Sequence, residues 1–262
     1  MATSSANPAP PGSRLRIVGV IPARYDSERL PGKVLLPICG KPMIQVVYER
    51  ARLSPLLDEL WVATDSERVR ACCAENRIPV RMTMRTHRSG TERILELMKK
   101  ISANVYVNIQ GDEPMLTPAH LRLLIEPFTT QSGVQVTTLK TPLDPAEASN
   151  PNVVKVVTNL RGEALYFSRA AIPYPRNPAS RPRFYKHLGL YAYTRGALER
   201  YRALPVSPLE ETERLEQLRF LEHGIPIHVA ETAEDTIGVD TADDWAAVTK
   251  YFEALPAGER TG

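Results

Sequence analysis

Ile17-Val18-Gly19-Val20-Ile21-Pro22-Ala23-Arg24-Tyr25-Asp26-Ser27-Glu28-Arg29-Leu30-Pro31-Gly32-Lys33 is the stretch on which the fold turns. An apolar run at 17–21 empties into a loop that packs Arg24, Arg29 and Lys33 around Pro31-Gly32. A strand ending in a basic, glycine-bearing loop is how an α/β protein offers charge and backbone N–H groups to a polyphosphate. A solvated surface turn has a similar composition, so the rest of the chain decides between the two. Asp26 and Glu28 set two acids inside this loop, and both side chains are expected to face solvent.

Outward from the loop, strand-like runs at 16–21, 60–64, 79–84, 105–110 and 134–139 alternate with helical patterns at 42–53, 66–76, 91–101 and 118–127. Such alternation predicts β-α-β units and a mostly parallel central sheet with helices on both faces. The pattern changes after 139. Longer strands are expected at 153–158 and 187–194, separated by a segment rich in Pro and Arg at 172–183. A polar helix at 207–223, a strand at 227–230 and a helix at 241–252 close the chain. The reading is one α/β domain at 15–254 with a smaller lobe inserted at 140–186. A disordered tail is expected at 1–14 and a short tail at 255–262.

Bulk properties remove several classes. With 33 basic and 30 acidic residues the net charge is only +3, and no basic stripe carries interleaved aromatics, so a dedicated nucleic-acid binder is not expected. No apolar run approaches membrane-spanning length, and the first fourteen residues hold no hydrophobic segment of the secretory kind. Three cysteines, Cys39, Cys72 and Cys73, form neither a disulfide framework nor a C-x-x-C pair, which points to a reducing, cytoplasmic compartment.

The familiar phosphate loops are missing. No G-x-G occurs, and Gly32-Lys33 and Gly40-Lys41 lack the remainder of a Walker loop. The run at 105–110 ends instead in Gly111-Asp112-Glu113-Pro114. Open α/β sheets bind ligands outside the carboxyl ends of their strands, which sets Gln110, Asp112 and Glu113 on the same rim as Arg24. A carboxylate beside a triphosphate suits Mg²⁺; an aspartate in that position also caps a following helix. The turn Gly238-Val239-Asp240-Thr241 admits the same two readings. Spacing alone does not bring the two aspartates together.

In order along the chain stand I-P-A-R-Y, R-L-P-G-K, G-K-P-M-I, V-A-T-D, H-R-S-G-T-E-R, V-N-I-Q-G-D-E-P, P-N-V-V-K, A-L-Y-F-S-R, I-P-Y, K-H-L-G-L-Y-A-Y, P-L-E, E-R-L-E-Q-L-R and G-V-D-T. Each is short, but jointly they resemble the 3-deoxy-manno-octulosonate cytidylyltransferase (CMP-KDO synthetase) family over about 16–252. The resemblance implies a Rossmann-like nucleotide-diphospho-sugar transferase fold and a Mg²⁺-dependent homodimer. It implies transfer of CMP from CTP to an acidic eight-carbon sugar for lipopolysaccharide synthesis, with release of pyrophosphate. By that similarity Arg24, Arg29 and Lys33 hold the triphosphate, and Ala23, Ser89 and Gly90 line the cytosine pocket. Asp112 and Asp240 hold the metal. Gln110 borders both substrates, and Arg169, His187, Tyr191, Glu216 and Gln217 face the sugar. Arg24, Lys33, Asp112 and Asp240 would carry the catalysis.

Plain structural readings stand beside these. His187 also suits a satisfied core histidine, and Arg169 a cap on the lobe. Glu216 and Gln217, near Glu210, Glu211 and Glu213, also suit a solvated acidic face. Alternative functions are the same transfer to an 8-amino sugar, a neuraminate-like acid or a phosphonate, or an inactive sugar-nucleotide sensor.

Overall fold

A computed structural model describes residues 14–27, 29–177 and 181–256. The expected tails, save Arg14, Leu255 and Pro256, lie outside the described residues, and so does Glu28.

The basic loop follows β1 (Ile17–Pro22), whose six residues are all buried. A strand buried on both faces belongs in the middle of a sheet covered on both sides. It runs parallel to β4 (Glu59–Thr64) and to β6 (Val105–Asn108), and β5 (Val80–Met82) continues beyond β4. A two-residue ribbon, β2 (Pro37–Ile38) and β3 (Lys41–Pro42), stands apart from this sheet. On the far side of β6 the chain places β7 (Val136–Leu143), β8 (Lys155–Thr158), β9 (Ala164–Ser168), β10 (Phe184–Thr194) and β11 (Ile227–Glu231). Among the described residues the sheet runs β11-β7-β10-β6-β1-β4-β5, with β8 paired to β10 and β9 to β8. Only β10 along that path runs against its neighbours.

Successive side chains of a strand face opposite sides, and β1 divides two cores accordingly. Ile17 and Ile21 pack toward α1 (Met43–Arg52), α2 (Glu67–Glu75), α4 (Pro118–Ile125) and, at the end of the chain, α9 (Ala242–Ala254). Val18 and Val20 pack toward α3 (Gly90–Leu97), α6 (Arg195–Ala203) and α8 (Leu218–Glu222). The short α5 (Pro127–Thr130) follows α4, and α7 (Pro208–Glu213) precedes α8. No helix among the described residues is long and apolar enough to cross a membrane.

Three sequence expectations change. The single helix expected at 207–223 is two, because Arg214 takes a left-handed φ of 56° and turns the chain between α7 and α8. Strand β9 and helix α6 had no counterpart in the sequence reading. The strand expected at 79–84 shrinks to Val80–Met82, whose pattern is largely exposed at the sheet edge.

Candidate active site

Three loops meet beyond the carboxyl ends of β1 and β6. The first carries exposed Arg24 and Arg29 and the mostly buried Lys33. Lys33 Nζ donates to Asp112 Oδ2 at 2.5 Å and to Asp240 Oδ1 at 2.8 Å. Arg29 Nη2 donates to the other oxygen of Asp240 at 2.6 Å. Burial alone would lower the Lys33 pKa, but the Asp112 charge and the hydrogen bonds to both aspartates outweigh it and hold the amine above its ordinary value.

The two acidic turns are themselves bonded, since Val239 N–H donates to the Asp112 carbonyl at 2.8 Å. Glu113 is buried against them. Burial, and then the Asp112 charge, push its carboxyl up to about 7. A Cβ on Gly238 would stand 3.1 Å from Glu113 Oε1, so the missing side chain lets the second turn close on the first.

Lys33, Asp112 and Asp240, with Arg24, Arg29, Gly90 and Gln110, line a cleft of about 430 Å³. Asp26 is exposed, as expected, yet it borders the same cleft. Arg24, Gly90 and Gln110 also border a second hollow of about 600 Å³, which Ser89 and Glu216 enter and which Tyr201, Glu210 and Arg219 wall. Ser89 is the N-cap of α3, its hydroxyl accepting Glu92 N–H at 3.3 Å. Gly90, the first residue of α3, borders both spaces.

Four sequence-assigned residues, Ala23, His187, Tyr191 and Gln217, line neither hollow. Ala23 is buried, bonded through its N–H to Ala63 O at 2.9 Å. His187 and Tyr191 lie on β10 in an aromatic row, with Phe167 4.9 Å from the His187 ring and Tyr191 5.4 Å from it. Thr138 Oγ1 donates its one proton within a β10 bulge, 2.8 Å from Leu190 O and 3.2 Å from Leu188 O. It is therefore the acceptor toward His187 Nε2, 3.0 Å away, and the Nε2–H tautomer leaves Nδ1 as a hydrogen-bond acceptor. Desolvation pushes the His187 pKa down to about 3, so the ring is neutral. Tyr191 Oη and Gln217 Nε2 are buried with no hydrogen-bond partner among the described residues. Unmet polar atoms of this kind ask for a polar ligand or water.

Arg169 does not reach either hollow. Its Nε donates to Glu213 O at 2.8 Å and its Nη1 to Pro151 O at 3.0 Å. Sequence reasoning also missed the wall of the second hollow. Arg219 pairs with both oxygens of Glu210, at 2.5 and 2.6 Å, and lies 4.4 Å over the Tyr201 ring. Glu216 is enclosed beside them, and burial raises its pKa.

Among the described residues no three His, Cys, Asp or Glu side chains cluster as a metal site. The Asp112–Asp240 pair nonetheless fits a hard divalent ion. Two carboxylates converge where one ammonium now sits, and the remaining positions would fall to phosphate oxygens and water.

The cytidylyltransferase family profile matches residues 18–232. The 3-deoxy-manno-octulosonate cytidylyltransferase of Acidobacterium capsulatum is 54% identical over 240 residues, covering 92% of this chain and 98% of that protein. The Escherichia coli protein of the same name is 49% identical over 226 residues, covering 86% and 92%. A solved CMP:2-keto-3-deoxy-manno-octonic acid synthetase complexed with CTP superposes with a TM-score of 0.87 at 47% identity, covering 91% of this chain and 98% of that one. A cytidylyltransferase from Leptospira borgpetersenii, 16% identical, shares the fold with a TM-score of 0.63 over 95% and 91% of the two chains.

Proposed function

The chain belongs to the cytidylyltransferase family, and we propose that it transfers CMP from CTP to the anomeric hydroxyl of 3-deoxy-manno-octulosonate for lipopolysaccharide synthesis. The observation that carries this reading is the meeting of Lys33, Asp112 and Asp240 in a basic cleft that opens onto a second, polar hollow. The first space suits a triphosphate, and we read the second, bordered by Ser89, Gly90, Gln110 and Glu216, as taking polar groups of both the cytosine and the acceptor.

In the reaction the sugar hydroxyl oxygen bonds to the α-phosphorus and gives up its proton to solvent, while the bond to the α–β bridging oxygen breaks and pyrophosphate leaves. Such a transfer asks the protein mainly to position reactants and neutralise charge. Arg24, Arg29 and Lys33 neutralise the triphosphate, and Lys33 and Arg29 the charge that grows on the leaving pyrophosphate. Ala23, Ser89 and Gly90 shape the cytosine side, and Gln110 stands between the substrates. Neutral His187 offers Nδ1 to a sugar hydroxyl; Tyr191, Glu216 and Gln217 supply further polar contacts. Arg169 borders neither hollow, and only its Nη2 is without a partner among the described residues; we read that edge as the one offered to the sugar carboxylate, for which a guanidinium is better matched than an ammonium. Asp112 and Asp240 would hold Mg²⁺, which supplies Lewis-acid polarisation of phosphate oxygens when bound.

We place the reaction in the cytoplasm, which three free cysteines support. We also read the enzyme as a homodimer. Exposed Leu160, Leu165 and Tyr174 around the β8–β9 hairpin support a contact there.

The test is pyrophosphate release with CTP and Mg²⁺ on 3-deoxy-manno-octulosonate, its 8-amino analogue and N-acetylneuraminate, with ATP, GTP and UTP as controls. Turnover confined to CTP and the plain octulosonate is expected. Turnover with another acid alone would move the acceptor; none with any pair would favour a sensor.

A further inference from the structure

Glu213 stands in an acid-rich stretch whose default reading is a solvated helix face. Its carboxylate is in fact a clasp. Oε1 accepts the Ser168 hydroxyl at 2.6 Å and lies 3.5 Å from the Tyr166 hydroxyl. Oε2 accepts the Arg169 backbone N–H at 3.0 Å, and the Glu213 carbonyl accepts Arg169 Nε at 2.8 Å. Burial would raise the pKa of this carboxyl, but the Arg169 N–H and the Ser168 hydroxyl outweigh it and hold it below the ordinary range.

Each side of the clasp leads to residues read as facing the acceptor. On the hairpin side, Arg169 is gripped twice more: Nη1 donates to Pro151 O at 3.0 Å, and the Arg169 carbonyl accepts from buried Lys155 Nζ at 2.5 Å. Its Nη2 makes no hydrogen bond among the described residues. On the helix side, Glu213 is the last residue of α7, and Arg214 then reverses the chain through its left-handed φ. That reversal buries Leu215 and turns Glu216 into the second hollow. Glu213 itself lines neither hollow.

We propose that Glu213 is a positioning residue for the sugar acceptor: acting through Arg169, it fixes the separation between the hairpin and the Glu216–Gln217 turn, and so sets acceptor affinity without touching the CTP cleft. The inference rests on the reading that Arg169, Glu216 and Gln217 face the acceptor. Its consequence is a split between substrates that a general packing role would not give.

The experiment measures KM for 3-deoxy-manno-octulosonate and for CTP in Glu213→Ala and Glu213→Gln, with CTP affinity by calorimetry. Glu213→Ala leaves a backbone N–H and a hydroxyl without their acceptor, so acceptor KM should rise about tenfold or more. Glu213→Gln should fall between, because its amide oxygen keeps the Ser168 hydroxyl while its NH₂ cannot accept from Arg169. CTP affinity should stay within about twofold in both, the magnitude expected where no partner is shared. On an Arg169→Ala background, Glu213→Ala should add little. An unchanged acceptor KM, equal losses for both substrates, or fully additive effects would overturn the proposal. A wild-type protein inactive with octulosonate overturns the functional reading; normal variants beside an active wild type overturn this one alone.

Discussion

Lys33 holds two aspartates within hydrogen-bond distance, and that balance makes Asp112 separable from folding. Asp112→Asn removes one charge while Asp240 still pairs with Lys33. The variant should melt near the wild type and lose about 10²–10³-fold in kcat, the usual effect of removing one charge-stabilising group. Thermal melts and initial rates check both halves, and near-normal turnover would remove Asp112 from the catalytic set. His187 gives a pH signature instead. Its folded pKa, near 3, lies below the ordinary 6.5. As pH falls through 6.5 the unfolded chain takes up a proton that the folded one refuses, so stability is lost on acidification, by at most about 1.4 kcal/mol per pH unit. The stability gap between wild type and His187→Gln, followed by urea unfolding, should therefore shift against the wild type between pH 6.5 and 5. A gap independent of pH would mean the imidazole is not held neutral. Residue types were legible wherever an apolar run delivered them, as at Arg24, Lys33 and Asp112. Glu213 was not, because its partners at Ser168 and Arg169 lie 45 and 44 positions away and leave no local spacing to read.

The turns that carry the acids depend on elements fitting closely. A Cβ at Gly111 would stand 2.9 Å from Pro22 O and 3.4 Å from Ala23 Cβ. The first of these is main chain and cannot swing aside. Gly111→Ala should cost about 1–3 kcal/mol, as overpacking does, and should lower kcat/KM for CTP by displacing Asp112. Chemical denaturation with CTP kinetics checks it; wild-type values in both would show that the turn yields freely. The strands feeding these turns were readable from their apolar runs. The break between α7 and α8 was not, since the left-handed residue there is an arginine rather than the glycine that usually announces such a turn. Strand β9 escaped because five residues, Ala164-Leu165-Tyr166-Phe167-Ser168, are too few for an apolar pattern to distinguish strand from helix.

At the scale of the molecule, the parallel order of β6, β1, β4 and β5 follows from local alternation, but the insertion of antiparallel β10 between β6 and β7 does not. That arrangement is a long-range pairing with no signature in any window of sequence. The exposed apolar side chains at the hairpin belong to this scale too. Leu165 is 61% exposed on β9, and Leu165→Asp should shift the particle measured by light scattering from twice the chain mass to the chain mass. A wild type that already runs as a monomer would refute the dimer.

The salt bridge between Lys33 and Asp240 joins positions 207 residues apart. During synthesis, a nascent chain exposes its basic loop long before Asp240 has left the ribosome. An unfinished chain therefore owns half of its charge balance, and a premature stop upstream of Gly238 leaves Arg29 without Asp240. Because domains complete their long-range contacts last, the carboxylate that meets Lys33 and Arg29 joins the cleft only once the Gly238–Thr241 turn has been made.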